Sequence, residues 1–205
     1  PATAIYDKSR HIFGLNLAKD AIRQTGVVVI VEGNLDVITS HQYGVKNVVA
    51  TAGTALTKDQ IKILQRFTSD IRLCFDQDKA GITAAERSIA VAQGVGAQLS
   101  IITISGAKDP DELIKINLES WQKAIEQPKY SIDWLIERYL NIFDISSASG
   151  KKQFTDTILQ TINKLEDPVE KEHYLKKLAQ ITEVSLDAVR QKSSEKRIGI
   201  YKKKN

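Results

Sequence analysis

Continuous apolar runs alternate in the first half of the chain with stretches in which apolar residues recur every three or four positions. The run VVVIV at 27–31 is unbroken and β-branched, which is typical of a strand covered on both faces, as in parallel sheets. Similar runs predict further strands at 47–51, 71–75 and 98–104. Helices are predicted between these strands, over roughly 34–42, 57–68 and 79–93. This alternation predicts an α/β fold with a mainly parallel sheet between helices.

Beyond the last predicted strand only the helical pattern remains. A helical stretch is expected from Pro110, which suits the first turn of a helix, to about residue 143. The segment ISSASGKK at 145–152 is interpreted as a loop or linker. Three helices are then predicted in FTDTILQTINKL, EKEHYLKKLAQI and SLDAVRQK, with breaks at Asp167-Pro168 and at 182–185. The C-terminal part is therefore expected to be a small helical subdomain.

Composition places the chain among globular proteins. Its 205 residues are 42% hydrophobic, and neither a run of about eighteen apolar residues nor a signal peptide is present, so we expect a cytoplasmic protein without a membrane span. The single cysteine, Cys74, lies in an apolar run and is interpreted as core, and the three histidines lack the spacing of a zinc site. Because methionine is absent even at position 1, we expect the chain to be a piece of a longer protein.

The net charge of +4 is unevenly distributed. Residues 146–205 carry 13 Lys and Arg against 8 Asp and Glu, and much of this surplus lies in EKRIGIYKKKN at the C-terminus. We interpret that run as a solvated or disordered tail, with nucleic-acid contact as the alternative.

Carboxylates follow three of the predicted strands. They are Glu32 and Asp36 after the first, Asp76 and Asp78 after the third, and Asp109 and Asp111 after the fourth. Since ligands of open α/β sheets bind beyond the carboxyl ends of the strands, these side chains are expected to meet at one edge of the sheet. A further turn there, TAGTALT, brings Gly53 and Thr54 before a helix start whose free amides favour anions.

Any one of these acids would be explained as a helix N-cap, but three acidic loops at one edge favour a metal site. Crowded carboxylates repel one another unless a divalent cation neutralises them. Oxygen ligands without nearby His or Cys favour Mg²⁺ or Mn²⁺ over Zn²⁺. The chemistry that fits best is phosphoryl transfer, and the absence of a Walker A motif or a kinase-type glycine loop disfavours ordinary nucleotide hydrolases and kinases.

The motifs VVVIVEGNLDVI, ATAGTALT, CFDQDKAG and DPDEL together resemble the Toprim fold, which primases, topoisomerases and some nucleases share. The flanking segments IYDKSRHIFGLNLAKDAI and HQYGVKNVVATAGTALT narrow the resemblance to the RNA polymerase core of bacterial DnaG-type primases. This resemblance divides the chain into a lead-in segment at 1–26, a Toprim domain at 27–143, a helical subdomain at 144–195 and a basic tail or linker at 196–205.

The resemblance implies roles for individual residues. Glu32, Asp76 and Asp78 are expected to be catalytic and to hold Mg²⁺, with Mn²⁺ as an alternative, and Asp36, Asp109 and Asp111 to support the same metal site. Residues expected to contact nucleotide or template are Lys8, Arg10, Gly53 and Thr54.

The implied function is synthesis of short RNA primers on single-stranded DNA from ribonucleoside triphosphates, in the nucleoid-associated cytoplasm of a bacterium. The resemblance further implies a zinc-binding N-terminal domain and a C-terminal domain that contacts the replicative helicase, both expected outside this chain. Two alternatives stay open: a Toprim nuclease or topoisomerase-like enzyme, and a non-catalytic module that binds a protein or DNA partner. The complete set of acids argues against the non-catalytic module, and no tyrosine stands out as a topoisomerase nucleophile.

Overall fold

A computed structural model describes residues 10–51 and 55–202, with only the backbone described over 196–202. Its five-stranded sheet has the order β2-β1-β3-β4-β5. The strands are β1 Val27–Val31, β2 Val48–Ala50, β3 Asp70–Cys74, β4 Leu99–Ile101 and β5 Lys129–Tyr130. The first four are parallel and β5 is antiparallel to β4, so the predicted α/β fold with a mainly parallel sheet is confirmed.

Helices connect and flank these strands. In the N-terminal part they are α1 Leu15–Thr25, α2 Asn34–Gln42, α3 Lys58–Leu64, α4 Lys79–Gln93, α5 Pro110–Ile116 and α6 Leu118–Glu126. In the C-terminal part they are α7 Ser131–Leu140, α8 Ala148–Ile162, α9 Pro168–Thr182 and α10 Leu186–Lys202.

Strand β1 lies inside the sheet, between β2 and β3, and both of its faces are covered. Val29 and Val31 lie in an apolar cluster with Val37 of α2 and with Leu113 and Ile114 of α5. Val28 and Ile30 point to the opposite face and are also buried. The continuous β-branched sequence therefore matches a strand with no solvent-facing side, and it leaves Glu32 as the first polar side chain where the strand ends.

Most predicted elements agree with the structure, and the differences have local causes. Helices α2 and α4 have the predicted bounds, and α3 begins after Thr57, whose hydroxyl accepts the Gln60 amide in the predicted capping box. The sequence analysis did not predict α1 or β5. The helical stretch expected from 110 to 143 is divided into three helices, and β5 lies before the last of them. Asn117 causes the first division, because it ends α5 and its side chain caps α6.

The chain divides into two compact units, residues 1–131 and 132–205. The division falls before most of α7, whereas the sequence-based boundary follows residue 143. Within the second unit Asp133 of α7 accepts hydrogen bonds from Tyr174 and Lys177 of α9, at 3.2 and 2.7 Å. These contacts bind α7 to the helices that follow it.

The prediction that 145–152 is a loop or linker is wrong over its second half. Helix α8 starts at Ala148, and the Ser147 hydroxyl caps it by accepting the Gly150 amide at 3.0 Å. Gly150 lies within this helix and does not end it. A Cβ at this position would lie 1.8 Å from the Asp144 carbonyl oxygen, so a residue with a side chain would clash there. The glycine permits a close approach between backbone segments in the first turn of α8.

In the C-terminal basic segment, interpreted from sequence as a tail or linker, α10 continues as helix through Lys202. Residues 203–205 lie outside the described part of the chain. Among the helices described, none has the length and apolar character needed to span a bilayer.

Candidate metal centre

Glu32 stands at the end of β1, and its carboxylate connects two loops. Its Oε1 accepts a hydrogen bond from the backbone amide of Asp76, at 3.3 Å, in the turn after β3. Strands β1 and β3 are neighbours in the sheet, with Val31 opposite Cys74. The parallel pairing therefore places the Glu32 turn beside the Asp76 turn, as predicted from the order of elements.

Asp76 and Asp78 have different surroundings although only Gln77 separates them. Asp76 is half-buried, whereas Asp78 is exposed and caps α4 by accepting the Gly81 amide at 2.8 Å. Asp78 is therefore a helix N-cap, as the alternative explanation of these acids expected. The cap uses Oδ1, so Oδ2 of Asp78 could still bind a metal ion.

Gly81 lies close to the two acidic turns, where there is no room for a side chain. A Cβ at this position would lie 2.3 Å from the Asp76 carbonyl oxygen, 2.9 Å from the Asp76 nitrogen and 2.7 Å from Oε1 of Glu32. The absent side chain is what allows α4 to approach both Glu32 and Asp76 this closely.

The third acidic loop lies between β4 and α5. Asp109 caps α5 by accepting the Glu112 amide at 2.8 Å, and Asp111 follows in the first turn. The Asp111 amide donates to Oδ1 of Asp36 at 3.1 Å, which ties this loop to the start of α2.

The three loops line one pocket of about 480 Å³. Its walls are Glu32, Gly33, Asn34, Leu35, Asp36, Asp76, Asp109 and Asp111. Of the six acids predicted from the sequence, five therefore meet here, while Asp78 lies outside the lining. Within residues 10–51 and 55–202, no three Asp, Glu, His or Cys side chains are close enough to enclose a metal ion without moving.

Burial and mutual repulsion act on these carboxylates together. The pKa of Glu32 is raised, first by burial and then by the negative charge of Asp76. Burial also raises the pKa of Asp76, with further contributions from Asp109 and Asp78. The pKa of Asp36 is raised to about 6 because burial outweighs the hydrogen bonds from the Asp111 and Gly33 amides. The pocket is thus electrostatically unfavourable for its own anions, and a cation would relieve this.

The residues present fit magnesium. The pocket offers carboxylate oxygens, which are the ligands that Mg²⁺ prefers. Because Gly81 has no side chain, Glu32 and Asp76 can lie close to the start of α4 without a clash. Two side chains of the kind that zinc prefers lie outside the pocket lining: Cys74 is buried in the core as predicted, and Nε2 of His41 is hydrogen-bonded to the Val48 carbonyl at 2.9 Å. The metal and its ligand set remain predictions.

We predict that Asp76→Asn/Asp78→Asn melts about 2 to 4 °C higher than wild type in EDTA at pH 7, the shift that about 1 kcal/mol produces in a chain of this length. Asparagine retains the α4 cap and removes the repulsion. The pKa of Asp76 is raised in the folded state, so its charge destabilises the fold fully above that pKa. This destabilisation disappears as the pH falls to about 4, the pKa of an unperturbed Asp, so the difference in melting temperature between mutant and wild type should narrow there. In about 10 to 20 mM Mg²⁺ wild type should melt higher, because only wild type keeps both carboxylates and an ion that binds the folded state stabilises it.

The control is Asp20→Asn/Glu126→Gln, which removes two charges from exposed positions. Thermal melts of all three proteins in both buffers make the comparison. A double mutant that melts below wild type in EDTA would mean that the two aspartates act mainly as structural caps.

Of the residues expected to contact nucleotide or template, only Arg10 can be placed, and it is exposed. Lys8, Gly53 and Thr54 lie outside the described residues. Sequence reasoning missed Thr39 and Lys115, which both bind Asp111, at 2.5 and 2.6 Å. The Asp111–Lys115 spacing of four residues in a helix was a readable signal, whereas nothing in the sequence marks Thr39.

Comparisons with known proteins identify the same regions. Residues 29–114 match a family model described as Toprim-like, and residues 132–187 match one described as the DnaB-helicase binding domain of primase. The second match lies inside the chain, whereas the sequence-based prediction assigned helicase contact to a domain outside it.

Individual relatives agree with the family matches. A DNA primase of Clostridium acetobutylicum is 38% identical over 92% of this chain and 32% of its own length. A DNA primase domain from Pseudomonas aeruginosa has a TM-score of 0.82 at 26% identity, covering 95% of this chain and 62% of that one. A DnaG primase catalytic domain bound to single-stranded DNA has a TM-score of 0.80 at 27% identity, covering 90% and 59%. The chain spans about a third of the length of the curated relatives, and its predicted resemblance to DnaG-type primases is confirmed.

Proposed function

We propose that this chain, whose sequence and fold match the Toprim-containing part of DnaG-type primases, contributes the metal-binding site of an enzyme that joins ribonucleotides into RNA primers on single-stranded DNA. The observation that carries the proposal is the acidic pocket at the carboxyl ends of β1 and β3, where Glu32 and Asp76 are joined by a hydrogen bond. A DNA-directed RNA polymerase activity is the reaction class that fits both this pocket and the relatives.

Glu32 and Asp76 would hold magnesium with Asp109 at the same pocket. Asp78, which lies outside the lining, would complete this set from the start of α4. When bound, the metal would stabilise charge on the triphosphate oxygens and favour ionisation of the attacking 3′ hydroxyl. The chain's own residues hold the ligands in place. The Asp76 amide orients the Glu32 carboxylate, the Gly81 amide orients that of Asp78, and the Glu112 amide orients that of Asp109.

The template would be single-stranded DNA, supported by the DnaG catalytic domain bound to such a strand. Ribonucleoside triphosphates and the growing primer complete the proposed set of ligands. Lys8, Arg10, Gly53 and Thr54 are proposed to contact them, on the strength of the motif resemblance. Since the relatives are bacterial DNA primases, the proposed place of action is the nucleoid, in the cytoplasm.

The test is incorporation of labelled ribonucleotide on single-stranded DNA by the full-length parent protein. We expect short RNA products that require Mg²⁺ or Mn²⁺ and disappear in EDTA. Cleavage of the DNA without RNA synthesis would instead favour the Toprim nuclease or topoisomerase-like alternative. Robust DNA binding with neither reaction would favour the non-catalytic module.

A second candidate function, helicase binding, is favoured by the match of residues 132–187 to a helicase-binding family. We propose that the helices after Ser131 contact the replicative helicase. Co-sedimentation of the whole chain with that helicase tests the proposal. A chain that stays in the supernatant would contradict it.

A further inference from the structure

Asp36 connects two of the loops that line the acidic pocket. Its Oδ2 accepts the Gly33 amide and its Oδ1 accepts the Asp111 amide, each at 3.1 Å. Gly33 directly follows Glu32, and Asp111 lies two residues after Asp109. One carboxylate therefore joins the turn that carries Glu32 to the loop that carries Asp109.

Thr39 strengthens this connection from the next turn of α2. Its Oγ1 donates to Oδ1 of Asp111 at 2.5 Å. Asp36 and Thr39 are three residues apart, on the same face of the helix, and are 5% and 6% exposed. The Asp111 side chain is 21% exposed, so the hydrogen bonds that join Asp111 to these two residues are partly shielded from water.

The carboxylate of Asp111 is also engaged on both sides. Oδ1 accepts the Thr39 hydroxyl, and Oδ2 pairs with the Lys115 ammonium at 2.6 Å. All four carboxylate oxygens of Asp36 and Asp111 are thus engaged, and the Oδ1 atom of each residue makes a contact between α2 and α5. The predicted role of both residues in supporting the metal site stays a prediction, and both line the pocket.

The packing beneath these hydrogen bonds makes the connection firm. Val37 of α2 and Leu113 and Ile114 of α5 lie in one buried apolar cluster. The apolar contacts bring the two helices together, but they do not set the position of the first turn of α5. The directional bonds from Asp36 and Thr39 do so.

We propose that Thr39 and Asp36 are positioning residues that hold Asp109 beside Glu32 and Asp76, so that magnesium affinity depends on a hydroxyl that does not line the pocket. The inference rests on the proposed metal site. Thr39 acts through Asp111 and the start of α5, and it touches neither metal nor substrate.

The experiment compares Thr39→Val, which keeps the shape and removes the hydroxyl, with Thr39→Ser, which keeps the hydroxyl. Mn²⁺ binding to the whole chain is followed by electron paramagnetic resonance and competed with Mg²⁺. We expect Thr39→Val to weaken affinity about tenfold, the usual size of an effect transmitted through a ligand's support, and Thr39→Ser to stay within about twofold of wild type. In EDTA the Asp111 amide should exchange its hydrogen faster in Thr39→Val.

Thr182→Val is the matched control. Thr182 is fully buried in α9, and its hydroxyl donates to the Leu178 carbonyl at 2.7 Å, within the second compact unit. This variant should lose stability and keep wild-type metal affinity. If Thr39→Val does not fold at the assay temperature, Thr39→Ala replaces it, because it also removes the hydroxyl and leaves every carboxylate of the pocket in place.

The outcomes separate this inference from the metal site itself. Wild type that binds no metal, or Glu32→Gln that binds as wild type does, would overturn the site and the inference together. If Glu32→Gln abolishes binding while Thr39→Val has none of the expected effect, only the positioning role is overturned. Equal losses in Thr39→Val and Thr39→Ser would also overturn it, because the hydroxyl would then not be the cause.

Discussion

Replacing Glu32 by glutamine in the full-length parent protein is expected to lower primer synthesis by about 100-fold or more. Glutamine retains Oε1, so the hydrogen bond from the Asp76 amide persists and the turn after β1 keeps its shape. What is lost is the negative charge of a proposed magnesium ligand, and metal-dependent stabilisation of a transition state is worth several kcal/mol. A 100-fold loss corresponds to about 2.7 kcal/mol.

The measurement is the initial rate of ribonucleotide incorporation at saturating Mg²⁺, with a melt to verify folding. The matched control is Glu126→Gln, at an exposed position near the end of α6, which should behave as wild type. Since the pKa of Glu32 is raised by burial and by Asp76, the metal-free Glu32→Gln protein should be no less stable than wild type. A variant that folds normally and keeps more than about half the activity would show that Glu32 is not a metal ligand.

The second large effect is expected at Gly81. Alanine there would place a methyl group 2.3 Å from the Asp76 carbonyl oxygen and 2.7 Å from Oε1 of Glu32. Because one of these atoms is backbone, the clash cannot be relieved by a side-chain rotation alone. We expect Gly81→Ala to lower the free energy of unfolding of the first unit by about 3 kcal/mol, to lower its melting temperature by about 6 to 12 °C and to abolish tight metal binding.

The control for this change lies directly after the same helix. Gly94 follows α4 in ordinary right-handed helical geometry, with φ −69°, and the nearest atom to an added Cβ is the Val91 carbonyl oxygen at 3.3 Å. Gly94→Ala should therefore change stability little. Thermal melts with and without Mg²⁺ compare the two variants. If Gly81→Ala melts like Gly94→Ala and binds Mn²⁺ normally, the close approach of α4 to the acidic turns is not required.

Local sequence determined the elements whose signals are contained within a few residues. The β-branched run at 27–31 is β1, and Thr57 with Gln60 forms the expected capping box of α3. The edge at which the acids gather also followed from sequence, because parallel strands joined by helices place all their carboxyl ends on one side. That reasoning located five of the six predicted acids at a single pocket without any knowledge of distances.

The tertiary structure decided what each of these residues does there. Asp36 and Asp111 look like the other acids in sequence, yet their partners lie on elements about seventy residues apart, and those contacts exist only after α2 and α5 pack on the same cluster. Gly150 lies in a segment whose sequence is typical of a linker, yet it belongs to α8. The close approach of the Asp144 carbonyl, which leaves no room for a Cβ, is visible only in the folded structure. The type of a side chain is local information, whereas the atoms that it contacts depend on segments far apart in sequence coming together. For this reason the location of the site could be predicted from the order of elements, but the contacts of each acid within it could not.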